Sequence, residues 1–272
     1  MKTIVITGAS DGIGAAAARE LAKRGHRLVL VGRNPDKTAE VAGGIGASHH
    51  VCDFAELDQV RDLAERLRAE HPQVDVLANN AGGVMGERSL TADGNEKTFQ
   101  VNHLAPFLLT LELLPALQAA HATVIQTSSM AARLYAKFDI EDLQNARDYS
   151  VMSAYGNAKL ENILFTEELQ RRYGDSLNAA AFHPGVVGSN FAAGSGGPME
   201  FMYHGPLKRL VTVTPERGAD QLVWLAEAAP GTDFEPGRYY VKRSIPRKVN
   251  PAVGNAELGR RLWEQSEELV GL

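Results

Sequence analysis

The 272-residue sequence predicts a doubly wound α/β fold, in which helices cover both faces of a parallel β-sheet. Short runs rich in β-branched residues alternate along the chain with longer segments of helical period. Several of these runs lack the polar alternation of a half-exposed strand, so they must be buried on both faces. Repeated β–α units with right-handed crossovers produce such a sheet. No tandem repeat or long linker divides residues 1–272, so a single domain is expected.

Seven segments have the length and composition of buried strands. They are, in chain order, KTIVIT, HRLVLV, SHHVCD, VDVLANN, ATVIQTSS, LNAAAFHP and GRYYV. Helical period predicts helices near residues 13–24, 56–70, 93–118, 150–173, 215–229 and 255–268. Gly25 and Gly174 follow the first and the fourth of these helices, where glycine commonly ends a helix. This order of elements predicts a Rossmann-type sheet of about seven strands.

Charge and cysteine content argue against several classes of function. The chain has 28 Lys and Arg against 33 Asp and Glu, and no long basic block, so nucleic acid is not expected as a partner. Cys52 is the only cysteine, which excludes an internal disulfide and favours a reducing compartment. His49 and His50 lie close to it, but no second cluster accompanies them, so no metal is predicted.

The chain lacks the hallmarks of a membrane protein or a secreted one. Only Met1 and Lys2 precede the first apolar run, and no apolar stretch reaches the roughly eighteen residues of a membrane span. We therefore expect a cytoplasmic protein with no membrane partner.

The stretch TGASDGIG at residues 7–14 joins the first strand to the first helix. Backbone N–H groups at the start of that helix would face the strand end, where phosphate binds well. The loop therefore predicts dinucleotide contacts by Gly8, Ser10, Asp11, Gly12, Ile13 and Gly14. Its spacing is G-x-x-x-G-x-G rather than G-x-G-x-x-G, so a tight structural turn is the alternative. The Asp11 carboxylate would also repel a phosphate.

The end of the second strand indicates which dinucleotide binds. An acidic residue there would bind a free ribose 2′-hydroxyl, but the sequence has Arg33 and Asn34. A guanidinium suits a 2′-phosphate, and Asp36 lies beyond Pro35, in the direction of the next helix. NADP(H) is therefore predicted, with a solvated surface role for Arg33 as the alternative.

Further short motifs follow in order along the chain. They are CDFAEL, NNAG at 79–82, NHLAPF at 102–107, SS at 128–129, YGNAK at 155–159 and HPGVVGS at 183–189. With TGASDGIG, this ordered series resembles the short-chain dehydrogenases/reductases over nearly the whole length. The resemblance implies a nicotinamide-dependent oxidoreductase. It also implies cofactor contacts by Asp53, Phe54, Asn80, Ala81, Gly82, Tyr155, Lys159, Pro184, Gly185, Val187 and Ser189.

Longer segments resemble one branch of that family, which includes the retinol dehydrogenases and the oxidoreductase domain of WW-domain-containing oxidoreductase. These segments are FDIEDLQNARDYSVMSAYGNAKLENILFTEEL, GRYYVKRSIPRKV and LGRRLWEQSEELVGL. Membrane-bound members of the branch carry an N-terminal anchor, whereas this chain starts at the first strand. A retinoid is therefore not expected as the physiological substrate.

Tyr155 and Lys159 are the central candidates for catalysis. They are four residues apart and so share one face of a helix, where the ammonium favours the phenolate. An unperturbed tyrosine titrates near about 10, and both Lys159 and an oxidised nicotinamide would lower that pKa. Tyr155 is therefore predicted to donate the proton in reduction. The resemblance implies that Lys159 also binds the nicotinamide ribose.

Two further residues complete the predicted catalytic set. Ser129 follows the fifth strand and matches the family's catalytic serine, which binds the substrate oxygen. Ser128 is the alternative, because strand ends are uncertain by a residue or more. Asn102 matches the family's helix asparagine, which supports a proton relay to the lysine. Alternatively, Asn102 simply satisfies helix backbone groups. Asn79 is expected to serve cofactor and backbone geometry.

The segment after the sixth strand is expected to cover the nicotinamide and the substrate. Pro184 and Gly185 form a turn beside the ring, and Ser189 replaces the family's usual threonine at the carboxamide, with an ordinary turn as the alternative. The long loop near residues 188–210 is predicted to cover the substrate. Met199, Phe201, Met202 and Tyr203 would either pack within this loop or contact the ligand.

These observations predict an NADPH-dependent reductase of bulky apolar ketones and aldehydes, or a dehydrogenase of the corresponding alcohols. Two other functions stay open: an NADP(H) sensor that binds partners, and a redox-neutral epimerase or dehydratase that keeps its nicotinamide. A small carbonyl or alcohol compound is the expected substrate. A homodimer through the apolar helices at 98–118 and 150–173 is possible, with core packing of these helices as the alternative.

Overall fold

The computed structural model describes residues 1–185 and 213–272. Seven strands form one sheet in the order β3-β2-β1-β4-β5-β6-β7, and every neighbouring pair is parallel. They are β1 (Thr3–Thr7), β2 (Arg27–Gly32), β3 (Ser48–Val51), β4 (Val76–Asn79), β5 (Thr123–Thr127), β6 (Asn178–His183) and β7 (Arg238–Val241). The predicted seven-stranded parallel sheet is confirmed.

Helices lie on both faces of this sheet. They are α1 (Gly12–Lys23), α2 (Pro35–Gly43), α3 (Leu57–Glu70), α4 (Lys97–Phe99), a π-helical turn (Gln100–Leu104), α5 (Ala105–Glu112), α6 (Leu114–Ala119), α7 (Ala131–Leu134), α8 (Val151–Tyr173), α9 (Pro215–Glu227) and α10 (Ala256–Val270). Helices α1, α2 and α9 cover one face. Helices α3, α5 and α8 cover the other, with α10 packed on α8.

The apolar strands have the burial that their sequences predict. In β1, Ile4 and Ile6 belong to the apolar core on the α1 side, whereas Val5 belongs to the core on the α3 side. All three are fully buried. Because successive side chains of a strand point to opposite faces, a strand covered on both sides needs apolar residues throughout. β3 is an edge strand, and its exposed side chains fit that position.

The predicted helix over 93–118 is wrong in detail, because the segment is interrupted twice. The Asn102 side chain donates to the Thr98 carbonyl at 2.9 Å within the π-helical turn, and Pro106 has no N–H for the Asn102 carbonyl. A second break lies at Leu113, and Pro115 occupies the first turn of the next helix. Proline cannot continue the hydrogen-bond ladder of the preceding turn.

None of the predicted helix ranges covers α2 or α7. The start of α2 had a sequence signal, since Asn34 caps it by accepting from the Lys37 backbone N–H at 2.9 Å and Pro35 occupies its first turn. α7 spans only four residues and is too short to show a helical period.

Within residues 1–185 and 213–272, no helix combines the length and the apolar character needed to cross a bilayer.

Candidate active site

The site is a cavity of about 800 Å³ at the carboxyl end of the sheet. Its lining includes Gly8, Arg33, Asn80 and Ser129, which follow β1, β2, β4 and β5, and His183, which is the last residue of β6. The strand order reverses between β1 and β4, and open α/β sheets bind ligands at such a point.

Nearly all predicted site residues of the described chain line this cavity. The exceptions are Gly14 and Asn102, which lie behind its wall. Val187 and Ser189, together with the predicted covering loop and its residues Met199, Phe201, Met202 and Tyr203, lie outside the described residues.

The glycine loop packs tightly against the end of β4. Gly8 has φ +66°, and a Cβ on it would lie 2.8 Å from the Ala81 Cα. A Cβ on Gly14 would collide with the Gly8 carbonyl oxygen and lie 2.8 Å from the Asn80 amide. Gly14 therefore allows close packing behind the loop, whereas the neighbouring residues face the cavity. This glycine loop suits a pyrophosphate, which must come close to backbone N–H groups.

Asn80 and Thr7 hold this end of the sheet together. The Thr7 hydroxyl accepts from the backbone N–H groups of Asn80 and Ala81, both at 3.0 Å. The Asn80 amide donates to the Thr7 carbonyl at 3.0 Å. Asn79 points away from the cavity and donates to the Thr110 hydroxyl at 2.9 Å. Asn80 thus connects β4 to the glycine loop, whereas Asn79 connects β4 to α5.

The carboxylate of Asp11 has a local role in the glycine loop. It caps helix α1 by accepting from the Gly12 backbone N–H at 2.7 Å. Such capping satisfies a donor at the helix start that has no partner within the helix. Asp11 still lines the cavity, so a phosphate would have to bind beside this carboxylate.

Two cations line the cavity beyond β2. Arg33 and Lys37 are both exposed, and Asn34 fixes the turn between them. Asp36 lies in the first turn of α2 and does not line the cavity, as its position after Pro35 predicted. This pair of positive groups suits a phosphate on the adenosine ribose. The sequence interpretation missed Lys37, although its place four residues after Arg33 was visible.

Asp53 and Phe54 follow β3 on the same side of the cavity. The Asp53 carboxylate accepts from the Ala55 backbone N–H at 3.0 Å, and its own N–H donates to the Gln59 side chain at 2.9 Å. These bonds fix the segment as a turn that contributes both residues to the cavity wall.

Helix α8 is fastened to the end of β5, and this brings the catalytic candidates together. The Ser128 hydroxyl donates to the Lys159 carbonyl at 2.6 Å, and the Lys159 ammonium donates to the Thr127 carbonyl at 3.1 Å. Ser129 is less buried, lines the cavity, and accepts from the Ala131 N–H at 3.2 Å. Because the Ser128 hydroxyl already bonds the helix backbone, the geometry favours Ser129 for a ligand.

Tyr155 and Lys159 lie on one face of α8, as their spacing predicted. The Lys159 Nζ is 5.5 Å from the centre of the Tyr155 ring, and both side chains line the cavity. Burial lowers the pKa of Lys159 to about 7. The amine therefore changes charge near neutrality.

Asn102 supports the wall beside Lys159. Its side-chain oxygen accepts from the Gly83 N–H at 3.0 Å, and its amide donates to the Gly83 carbonyl at 2.9 Å. A Cβ on Gly82 would collide with Asn102 and lie 3.2 Å from the Lys159 Nζ. Asn102 therefore fixes the backbone that faces the amine, in addition to satisfying the helix carbonyl of Thr98.

The sequence interpretation also missed His183. Its imidazole lines the cavity, is 7% exposed, and accepts at Nδ1 from the Met130 N–H at 3.3 Å. The only signal was its place at the carboxyl end of a strand, within HPGVVGS.

Comparisons with known proteins agree with this geometry. A family model described as short chain dehydrogenase matches residues 2–197. The chain is 43% identical to the protein DnrU of Streptomyces sp. (strain C5), provisionally named a daunorubicin C-13 ketoreductase, over 99% of this chain and 93% of that protein. It is 36% identical to human retinol dehydrogenase 13, over 100% of this chain and 85% of the relative.

A solved structure gives the same result. The crystal structure of an uncharacterized protein from Mycobacterium paratuberculosis matches with a TM-score of 0.79 and 32% identity, over 100% of this chain and 94% of the other. The predicted resemblance to the family, and to its retinol dehydrogenase branch, is confirmed. The chain belongs to the short-chain dehydrogenase family of oxidoreductases.

Proposed function

We propose that this chain is an NADPH-dependent reductase of bulky apolar ketones and aldehydes, or in reverse a dehydrogenase of the corresponding alcohols. One observation carries the proposal. A single cavity of about 800 Å³ has the glycine loop and Arg33 along one part, and Ser129, Tyr155 and Lys159 along another. The names of two relatives, a ketoreductase and a retinol dehydrogenase, support the same reaction class.

The residues present fit a dinucleotide with a 2′-phosphate. Gly8 and Gly12 line the cavity without side chains, so a pyrophosphate could approach the backbone N–H groups there. Arg33 and Lys37 supply positive charge at the end of β2, where NAD-binding sites have an acidic residue. Tyr155, Lys159, Pro184 and Gly185 would face the nicotinamide half.

Three side chains carry the proton chemistry in this proposal. NADPH, when bound, supplies the hydride that reduces the carbonyl carbon. The Ser129 hydroxyl donates a hydrogen bond to the carbonyl oxygen, and Tyr155 gives that oxygen its proton. The positive charge of Lys159, 5.5 Å from the phenol ring, stabilises the phenolate that remains. Asn102 positions the backbone beside Lys159 and so supports the return of a proton.

The walls around these groups support an apolar substrate. Val84, Met85, Met130, Leu134 and Met152 line the cavity, and Val84 belongs to one apolar cluster with Tyr155. Met130 and Leu134 are 36% and 51% exposed, so an apolar ligand would cover surface that now faces water. The proposal includes a cytoplasmic setting, a small-molecule substrate, and no nucleic acid, membrane or metal partner.

The first test is turnover in Tyr155→Phe. We expect NADPH consumption with aromatic, aliphatic and polycyclic ketones in the wild type, and a loss of at least about 100-fold in kcat in the variant, because general acid catalysis contributes about that much. NADPH binding, followed by cofactor fluorescence, should change little.

Two outcomes would count against the reductase. Tight NADPH binding without consumption, unchanged in Tyr155→Phe, would favour a sensor. Conversion of substrate without net NADPH consumption would favour a redox-neutral epimerase or dehydratase.

The second test concerns cofactor preference. Replacing Arg33 and Lys37 by alanine removes two donors to a 2′-phosphate, and each charge-assisted bond contributes about 1.5–3 kcal/mol. We expect the KM for NADPH to rise at least about tenfold while the KM for NADH stays within about twofold. Arg19→Ala on α1 is the control. Equal effects on both cofactors would refute a 2′-phosphate site.

A further inference from the structure

His183 is the part of the cavity wall that the proposed mechanism does not use. It is the last residue of β6, and its backbone is firmly held. Its carbonyl accepts from the Gln221 side-chain amide at 2.5 Å, and Gln221 in turn accepts from the Arg243 N–H at 2.7 Å. The imidazole therefore projects from a fixed strand end and not from a loop.

One hydrogen bond determines which nitrogen of His183 carries the proton. The Met130 N–H donates to Nδ1 at 3.3 Å, so Nδ1 presents its lone pair and the neutral ring has its hydrogen on Nε2. Burial lowers the pKa of His183 to about 4, which keeps the ring neutral at pH 7. His183 thus has one N–H donor, at Nε2.

This donor has no acceptor in the described part of the chain. Within residues 1–185 and 213–272 the Met130 bond is the one hydrogen bond of the imidazole, and the ring lines the large cavity. Nε2 is also not shut off from solvent. A ligand in the cavity can therefore accept from it.

Ser129, which precedes Met130 in the chain, supplies a second donor to the cavity. Its hydroxyl oxygen accepts from the Ala131 N–H at 3.2 Å, which leaves the hydroxyl hydrogen for a ligand. The adjacent N–H groups of Met130 and Ala131 thus position the two donors. Ser129 and His183 line the same cavity, so a ligand that accepts from both donors must carry two acceptor atoms.

We propose that His183 donates from Nε2 to a second oxygen of the substrate, on the carbon next to the reacting carbonyl. The preferred substrates are then α-oxygenated carbonyl compounds, namely α-hydroxy ketones and α-diketones. The inference rests on the proposed reductase function, because it takes Ser129 to bind the reacting oxygen. His183 acts as a specificity residue and takes no part in proton transfer.

The test compares 2-hydroxyacetophenone with acetophenone in the wild type, His183→Phe and His183→Gln. Phenylalanine keeps a planar ring without a donor, whereas the Gln amide places a donor near the position of Nε2. The ratio of kcat/KM for the two ketones should fall about tenfold in His183→Phe, the effect of one lost hydrogen bond, and recover in His183→Gln. Comparing ratios between variants cancels the different intrinsic reactivity of the ketones.

Other outcomes would overturn the inference. An equal loss with both ketones would show a structural role, and a rise in the NADPH dissociation constant in His183→Phe would assign the donor to the cofactor. If the wild type reduces neither ketone, the reductase function fails for this pair. Saturation-transfer NMR with NADP⁺-loaded protein then decides about His183. Binding of the hydroxy ketone that weakens in His183→Phe supports the inference, and binding that does not change refutes it.

Discussion

Lys159 and Glu161 are two residues apart on α8, and both are almost completely buried. Lys159 donates to the Thr127 carbonyl and lines the cavity. Glu161 does not line it, and its Oε2 has no hydrogen-bond partner. Burial raises the pKa of Glu161 well above its usual range, and the nearby Glu96 raises it further. Burial places Lys159 at the cavity wall, whereas burial of the Glu161 carboxyl lowers the free energy of unfolding.

Glu161→Gln should therefore stabilise the protein at neutral pH. The unfolded carboxyl ionises near pH 4.5, but the folded one ionises only at higher pH. Between these values the folded state binds the extra proton, so stability falls as the pH rises. Glutamine cannot ionise, so the substitution removes this pH-dependent loss of stability. We expect a gain of at least about 1.4 kcal/mol in the free energy of unfolding at pH 7, the value of one pKa unit.

Urea unfolding at pH 4 and pH 7 measures this effect. At pH 4 the two proteins should be nearly equal, because both side chains are neutral there. Glu65→Gln on the exposed side of α3 serves as the control and should change little at either pH. Equal destabilisation by Glu161→Gln at both pH values would contradict the explanation.

Among the elements, α10 accounts for the apolar character of the two helices that we considered for a dimer. Its Trp263 is 1% exposed and packs against Phe107 of α5 and Phe165 of α8, with ring centres 5.1 and 5.7 Å away. The Arg172 guanidinium lies 4.6 Å from the indole ring. α10 therefore covers apolar surface of α5 and α8 within one chain. The homodimer stays a prediction, but core packing now explains part of the pattern.

Trp263→Ala should accordingly destabilise the whole protein. Removing a buried tryptophan leaves a cavity among aromatic rings, which typically costs about 3–5 kcal/mol. Denaturant unfolding measures the loss, and Glu268→Ala on the exposed side of α10 should stay within about 0.5 kcal/mol of the wild type. A loss below about 1 kcal/mol in Trp263→Ala would mean that α10 is dispensable for the core.

The π-helical turn shows what helical period cannot reveal. Residues 93–118 are apolar enough to predict one helix, and the period carries no information about hydrogen bonds from side chains. The Asn102 side-chain amide donates to the carbonyls of Thr98 and Gly83. The first bond lies at the break in the helix, and the second supports the cavity wall. The prolines at 106 and 115 were visible, but their effect depends on which carbonyl each one leaves without a donor.

For the whole molecule, the parallel sheet and the position of the site could be predicted because they follow from simple rules. Buried parallel strands have apolar sequences, and their carboxyl ends meet at one edge, so Ser129 and the glycine loop had to come together. The packing of Gly14 against the Gly8 carbonyl and the tautomer of His183 depend on distances of a few ångströms between segments far apart in sequence. No local pattern contains these distances. Val187 and Ser189 stay predictions.

The strand order also has a consequence for how the chain assembles. Along β3-β2-β1-β4-β5-β6-β7, every neighbouring pair in the described sheet is consecutive in sequence except β1 and β4. Each strand after β1 therefore finds a partner already synthesised, on an open edge of the growing sheet. Only the pairing of β4 with β1 closes a loop of chain that contains two other strands, β2 and β3. The entropic cost of closing such a loop grows slowly with its length. The sheet can form in the order in which it is made.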